Sequence, residues 1–213
     1  MCNQGLVKLM TNLIDWNNFN SSVLIEVTRP TGVFTSTGVA INHDTILTAA
    51  HCLEGEVLKV RVSTDARYNK NGHFLEVSAF NLHPDYDAHK SNYRSDLAKI
   101  KLKDKLPAGT RFFPIIKKEK ALEGKLLRLG FGARGKNNVR TLVNPEFKTL
   151  RTQEKVLELN DMYSYSGDSG GPIFLQNQGQ MYLVAIHSTL SFGPEGKHSF
   201  NPLLSTHRDW IAS

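Results

Sequence analysis

The chain has 213 residues, a formal net charge of +6, 40% hydrophobic and 22% charged residues, and only two cysteines. These are ordinary values for a globular protein, and they exclude a collagenous, low-complexity or disulfide-laced chain. No apolar run is long enough to span a bilayer as a helix.

Residues 1–20 read as an amino-terminal segment. Its stretch 5–16 carries Lys8, Asn12 and Asp15 and lacks the apolar h-region of a signal peptide. Short strands then follow, β-branched and either alternating or fully apolar, at residues 23–27, 45–47, 57–62, 75–77 and 97–102. Residues 103–120 mix charge with Pro107, Gly109 and Pro114, and predict a crossover between two halves. The second half offers strands at 126–129, 155–159, 173–175 and 181–187. Short strands with turn signals between them predict a sandwich or barrel, not an α/β sheet. The tail 203–213, with Leu203, Leu204, Trp210 and Ile211, predicts a helix.

Three segments carry chemistry: Thr48-Ala49-Ala50-His51-Cys52, Ser95-Asp96-Leu97-Ala98, and Gly167-Asp168-Ser169-Gly170-Gly171-Pro172. A serine hydroxyl is a poor nucleophile at neutral pH and needs a base beside it. Histidine suits that task because it titrates near neutrality, and a carboxylate can hold its tautomer and stabilise its cation. Glycines beside the serine permit a tight turn and close approach of a substrate to the backbone. Taken singly, each residue also fits an ordinary setting: a turn serine, a core histidine, a solvated aspartate.

The order His51, Asp96, Ser169 resembles the chymotrypsin/trypsin family of serine proteases. Gly38-Val39-Ala40-Ile41, His83-Pro84-Asp85-Tyr86, Pro114-Ile115 and Trp210-Ile211 extend the resemblance over most of the chain. It implies an all-β fold of two six-stranded antiparallel β-barrels with a C-terminal helix. The expected divisions are an amino-terminal segment at 1–20, a first barrel at 21–110, a second at 111–202 and the helix at 203–213. It implies that Ser169 is the nucleophile, His51 the base and Asp96 the orienting acid, with the Gly167 and Ser169 N–H groups as oxyanion hole. The implied activity is a serine endopeptidase that forms an acyl-enzyme, uses no cofactor, and acts on protein or peptide as a monomer. Secretion or a periplasmic location is expected, with no membrane span. The interval from His51 to Asp96 is 96 − 51 = 45 residues, and from Asp96 to Ser169 it is 169 − 96 = 73. The second is short for the family and implies trimmed loops and an open cleft.

The family's pocket positions fall on Tyr163, Ser164, His187 and Ser188. Tyr163 stands where a Lys/Arg-specific enzyme has aspartate, so that preference is rejected. His187 with Ser164 resembles the pocket of bacterial glutamate-specific members and implies glutamate before the cut. The competing reading is a strand histidine satisfied within the core, and Tyr163 is bulky enough to fill the pocket. Asp168 needs a cation or backbone donors if it is buried. No Ile-Val-Gly-Gly activation sequence is present, so the first 20 residues are expected to control activity. The family partner of Cys52 is missing, Ser36 and Thr37 standing there, which implies a buried free thiol; a bridge to Cys2, or lipidation of Cys2, stays open. His83, Asp85, Asp87 and His89 alternate, but match no defined metal spacing, and no metal is expected. Lys117, Lys118 and Lys120, and Arg134, Lys136 and Arg140, read as solvated loop charge, with no aromatic interleaving to suggest nucleic acid. The alternative function is a protease homologue that binds through its cleft, or a latent enzyme that needs activation.

Overall fold

The computed structural model describes residues 19–90, 93–117, 122–133, 140–143, 147, 149–153, 155–193 and 196–213. Cys2, Lys8, Lys118, Lys120, Arg134 and Lys136 lie outside them.

In the first half β1 (Ser22–Arg29), β2 (Gly32–Ala40), β3 (Thr45–Thr48), β4 (Lys59–Ser63), β5 (Leu75–Leu82) and β6 (Ala98–Leu102) close in the order β1-β2-β3-β6-β5-β4. Period-two alternation sends Val23, Ile25 and Val27 of β1, Val60 and Val62 of β4, and Ala98, Ile100 and Leu102 of β6 into one core. This is the expected six-stranded barrel, closed so that no strand edge is left free.

The second half contains β7 (Lys125–Gly130), β8 (Thr141–Val143), β9 (Thr149–Gln153), β10 (Val156–Asn160), β11 (Pro172–Asn177), β12 (Gln180–Ile186), β13 (Thr189–Gly193) and β14 (Gly196–Pro202). They form two four-stranded antiparallel sheets, β12-β11-β7-β8 and β13-β14-β10-β9, with a bridge between Ala185 and Leu203 linking them among the described residues. Leu126, Leu157, Leu159, Ile173, Leu175 and Val184 fill the core between them. The architecture is mostly β and consistent with a double barrel.

A third apolar cluster joins the halves. Val39 and Leu47 of the first barrel pack with Leu127, Leu129, Phe174 and Ile186 of the second, with Trp210 and Ile211 against them. The described part of the crossover carries no strand, only a parallel bridge between Ile115 and Leu183.

The tail differs from the expected single helix. Leu203 is still extended and its N–H donates to Lys155 O at 2.8 Å. A 3-10 turn follows at Leu204–Thr206, and the helix α1 spans only Arg208–Ala212. His207, at φ −117° and ψ 14°, separates the two. Among the described residues no helix is long and apolar enough to cross a membrane.

Candidate active site

Strand pairing brings the first two motif residues together. β3 and β6 are antiparallel neighbours with Thr48 opposite Ala98. The chain leaving β3 therefore turns where the chain entering β6 arrives. His51 lies on a 3-10 turn, Ala50–Cys52, and Asp96 just past another, Tyr93–Ser95. Asp96 Oδ1 accepts the His51 backbone N–H at 2.9 Å, and Oδ2 accepts the Nδ1–H at 2.7 Å. The Ser188 hydroxyl also donates to Oδ2. Asp96 is 4% exposed. Burial works to raise its pKa, but the hydrogen bonds and charge of His51 and the Ser188 hydroxyl outweigh it and hold the carboxyl below its ordinary range. For His51, burial disfavours the cation, while the Cys52 sulfur and Asp96 favour it, and the net direction is upward. Cys52 is a free, half-buried thiol with Sγ 3.7 Å from His51 Nε2.

The serine turn is seated by the second half. β11 begins at Pro172, which pairs with Ile186 at the end of β12. His187 and Ser188 consequently run beside the turn: Gly170 N–H donates to His187 O and His187 N–H to Gly171 O, both at 2.7 Å. Thr37 of β2, which the motif reading passed over, fastens the turn to the first barrel. Its N–H donates to Ser169 O at 2.9 Å and its hydroxyl to Gly167 O at 2.7 Å. Its own carbonyl accepts the Thr48 hydroxyl at 2.8 Å, three residues before His51. Thr37 thus ties the serine turn to the end of β3, which leads into His51. Ser169 is half-buried, and its hydroxyl makes no hydrogen bond with the described residues.

Gly170 shows how tightly the turn is fitted. It sits at φ +82°, and a Cβ there would lie 2.1 Å from both Thr37 O and Thr48 Oγ1. Gly170→Ala is expected to cost about 3 kcal/mol in chemical denaturation, because backbone strain and overlap with a rigid carbonyl add. A cost well below about 1 kcal/mol would contradict this close seating of the turn.

Two peptide orientations follow from the same contacts. Ser166 O accepts from Ala133 N–H at 3.0 Å, and Asp168 O from Gly171 N–H at 3.0 Å. No described peptide is cis, so the N–H groups of Gly167 and Ser169 point the opposite way from these tied carbonyls.

Asp168 is fully buried. Its Oδ1 accepts Gly132 N–H at 2.8 Å, its Oδ2 accepts Tyr165 N–H at 3.0 Å, and Arg128 Nη2 lies 3.8 Å from Oδ2. Gly130 and Gly132 make room: a Cβ on either would come within 2.5 Å of Asp168 Oδ1. Arg128, also fully buried, pairs with Asp161 through Nη1. Sequence reading missed this arginine, although a charge inside Leu126-Leu127-Arg128-Leu129 was a visible signal.

His187, 1% exposed, belongs to the same cluster. Its Nδ1 lies 3.1 Å from Asn201 Oδ1, which can only accept, so Nδ1 carries the proton. Its Nε2 then accepts the Ser164 hydroxyl at 2.7 Å. Burial and the adjacent Arg128 cation push its pKa down to about 4. The Ser188 hydroxyl is taken up by Asp96. Tyr163 is 49% exposed. Lys197 Nζ donates to Ser164 O at 2.6 Å.

One further expectation changes. Arg140 is not solvated: it is 5% exposed, crosses to the first barrel, and donates to Thr64 O at 2.8 Å and, through its backbone, to Ala66 O at 2.8 Å. Among the described residues no group of three or more His, Cys, Asp or Glu forms a metal site.

A mostly β, double-barrel fold that carries a buried histidine–carboxylate pair and a glycine-rich serine turn defines the class. The family model described as Trypsin matches residues 16–211, and the chain belongs to that family of serine proteases. No curated protein matches it.

Proposed function

We propose that this chain is an endopeptidase in which Ser169 attacks the scissile carbonyl, His51 takes its proton, and Asp96 orients and stabilises the imidazole. The observation that carries the reading is the double hold of Asp96 on His51, through backbone N–H at 2.9 Å and Nδ1 at 2.7 Å. That hold leaves Nε2 as the basic edge of the ring. The half-buried Ser169 hydroxyl is the group it would deprotonate, in a contact of the kind that commonly tightens only when substrate binds. The developing oxyanion lies against the Gly167 and Ser169 N–H groups, a role supported by the tying of the Ser166 and Asp168 carbonyls on the opposite sides of those peptides. The imidazolium then protonates the leaving amine, and water repeats the sequence on the acyl-enzyme.

Glutamate is the proposed residue before the cut. Supporting it are the Ser164 hydroxyl and His187 ring, hydrogen-bonded to each other, between two cations, Arg128 and Lys197. A substrate carboxylate there takes the Ser164 proton donor, and His187 must acquire a proton on Nε2 to serve as a second donor. His187 is neutral in the free protein, so binding glutamate takes up a proton. The preference for Glu over Gln substrates, as a ratio of kcat/KM, is expected to fall as pH rises above the free-state pKa, approaching about tenfold per pH unit until the bound-state pKa is reached. Cleavage-site profiling on a peptide library at two pH values tests this. Absence of enrichment for acidic residues before the cut removes the glutamate assignment and leaves the peptidase assignment standing.

A further inference from the structure

The loop that presents Asp96 is held from outside the catalytic cluster by two buried histidines. His207, between the terminal 3-10 turn and α1, directs Nε2 to Arg94 O at 2.7 Å, two residues before Asp96. His83 donates its backbone N–H to Leu97 O at 2.8 Å, one residue after Asp96. The rings meet edge to face, with His207 Nδ1 3.1 Å from His83 Nε2. Asp85 N–H donates to His83 Nδ1 at 3.1 Å. Both histidines are buried, at 6% and 4% exposure, and Trp210 covers His83.

The proton positions follow from the partners. Asp85 N–H can only donate, so His83 Nδ1 is the lone-pair nitrogen and His83 Nε2 carries the proton. That proton goes to His207 Nδ1, which leaves the His207 proton on Nε2 for Arg94 O. Every link runs one way, from Asp85 N–H through both rings to the Arg94 carbonyl. An extra proton on His83 sets Nδ1–H against Asp85 N–H. An extra proton on His207 sets Nδ1–H against His83 Nε2–H. Neither ring can gain charge without opposing two donors.

We propose that His83 and His207 are positioning residues for Asp96, forming a one-way relay that fixes the Asp96 loop and that opens in acid because it has no place for another proton. The charged groups facing the pair are Asp85 from the same loop, Lys99 from β6 and Lys155 before β10; Lys99 Nζ also stands 4.8 Å over Trp210. Burial lowers the pKa of both rings; Asp85 opposes it at His83 while Lys155 and Lys99 lower it further, and at His207 the His83 ring and Lys155 lower it further against the Arg94 carbonyl and Asp85. His207 is brought down to about 4 from 6.5. With folded values depressed, the relay's contribution is complete above the ordinary histidine pKa and is lost as pH falls toward the folded values.

The inference rests on the proposed role of Asp96, and the test separates the two. His207→Phe removes both ring nitrogens at similar bulk; His207→Gln keeps an amide donor toward Arg94 and does not titrate. The readouts are the rate of Ser169 labelling by a fluorophosphonate, the far-downfield proton resonance of the His51–Asp96 hydrogen bond, and near-UV circular dichroism as a check of fold. At neutral pH, His207→Phe is expected to label more slowly by up to about 10²-fold and to lose or shift the resonance, while still folded. His207→Gln is expected to label near the wild-type rate and to keep the resonance to lower pH than the wild type. If His207→Phe does not fold, the acid limit of the resonance in wild type against His207→Gln decides alone. Identical acid limits, or a folded His207→Phe with unchanged rate and resonance, overturn the relay. A wild type that shows the resonance but is never labelled refutes the catalytic reading and leaves the relay to be judged by the resonance.

Discussion

Arg128→Met is expected to destabilise the protein by about 3–5 kcal/mol, the cost of leaving a buried charge without its partner. Two carboxylates depend on this guanidinium, and both Asp161 and Asp168 are fully buried. Among the described residues Asp168 keeps two backbone donors and Asp161 only one, the Tyr163 N–H at 3.2 Å, so the larger penalty falls on Asp161. A loss of this size is a large share of the roughly 5–15 kcal/mol that holds a typical domain together. Urea denaturation would show it as a lower midpoint at unchanged slope. Arg128→Met combined with Asp161→Leu should recover much of the loss, because an apolar pair of similar volume often replaces a buried ion pair at little cost. A single-variant loss well under about 1 kcal/mol would mean that the cluster is solvated or compensated in another way.

Asp96→Asn is expected to lower kcat about 10⁴-fold at neutral pH with little change in KM. Both carboxylate oxygens are in use, Oδ1 by the His51 backbone and Oδ2 by the His51 ring and Ser188. An asparagine offers one acceptor and one donor in their place. Keeping the backbone N–H satisfied turns the amide NH₂ toward the ring. The ring then answers with the other tautomer, protonated on Nε2, and can no longer take the serine proton. Steady-state kinetics on any cleaved peptide checks this. A fall of less than about tenfold would show that the carboxylate is not the orienting group.

The fold was legible where strands are apolar and β-branched. β1, β3, β4, β5, β6, β7, β10, β11 and β12 each contain or overlap a predicted segment. β2, Gly-Val-Phe-Thr-Ser-Thr-Gly-Val-Ala, and β14, Gly-Lys-His-Ser-Phe-Asn-Pro, were not predicted as strands, because glycines and polar residues interrupt their pattern. Tertiary pairing supplies what local preference lacks there: β2 is held between β1 and β3, and β14 between β13 and β10. The tail was expected to be one helix because its apolar residues recur, but Leu203 is drawn into sheet pairing first.

The site was legible where chemistry is written in short motifs. His51 and Asp96 meet as their spacing and order suggested, and Asp168 finds backbone donors and a cation as its burial required. The supporting residues were not legible, because their partners are remote in sequence. Thr37 acts across the chain on the peptide of Gly167, and His207 on that of Arg94. Arg128 alone left a local trace, a charge in an apolar strand. His187 was read as a pocket ligand, and the structure adds that it is already saturated by Ser164 and Asn201.

The most direct measurement is to treat the folded protein with a fluorophosphonate and map the adduct by mass spectrometry. One phosphonylated residue, Ser169, with labelling abolished in His51→Ala, is the result this account predicts. A natively folded protein that takes up no label, or takes it at another serine, would mean that hydroxyl and imidazole never come close enough to exchange a proton.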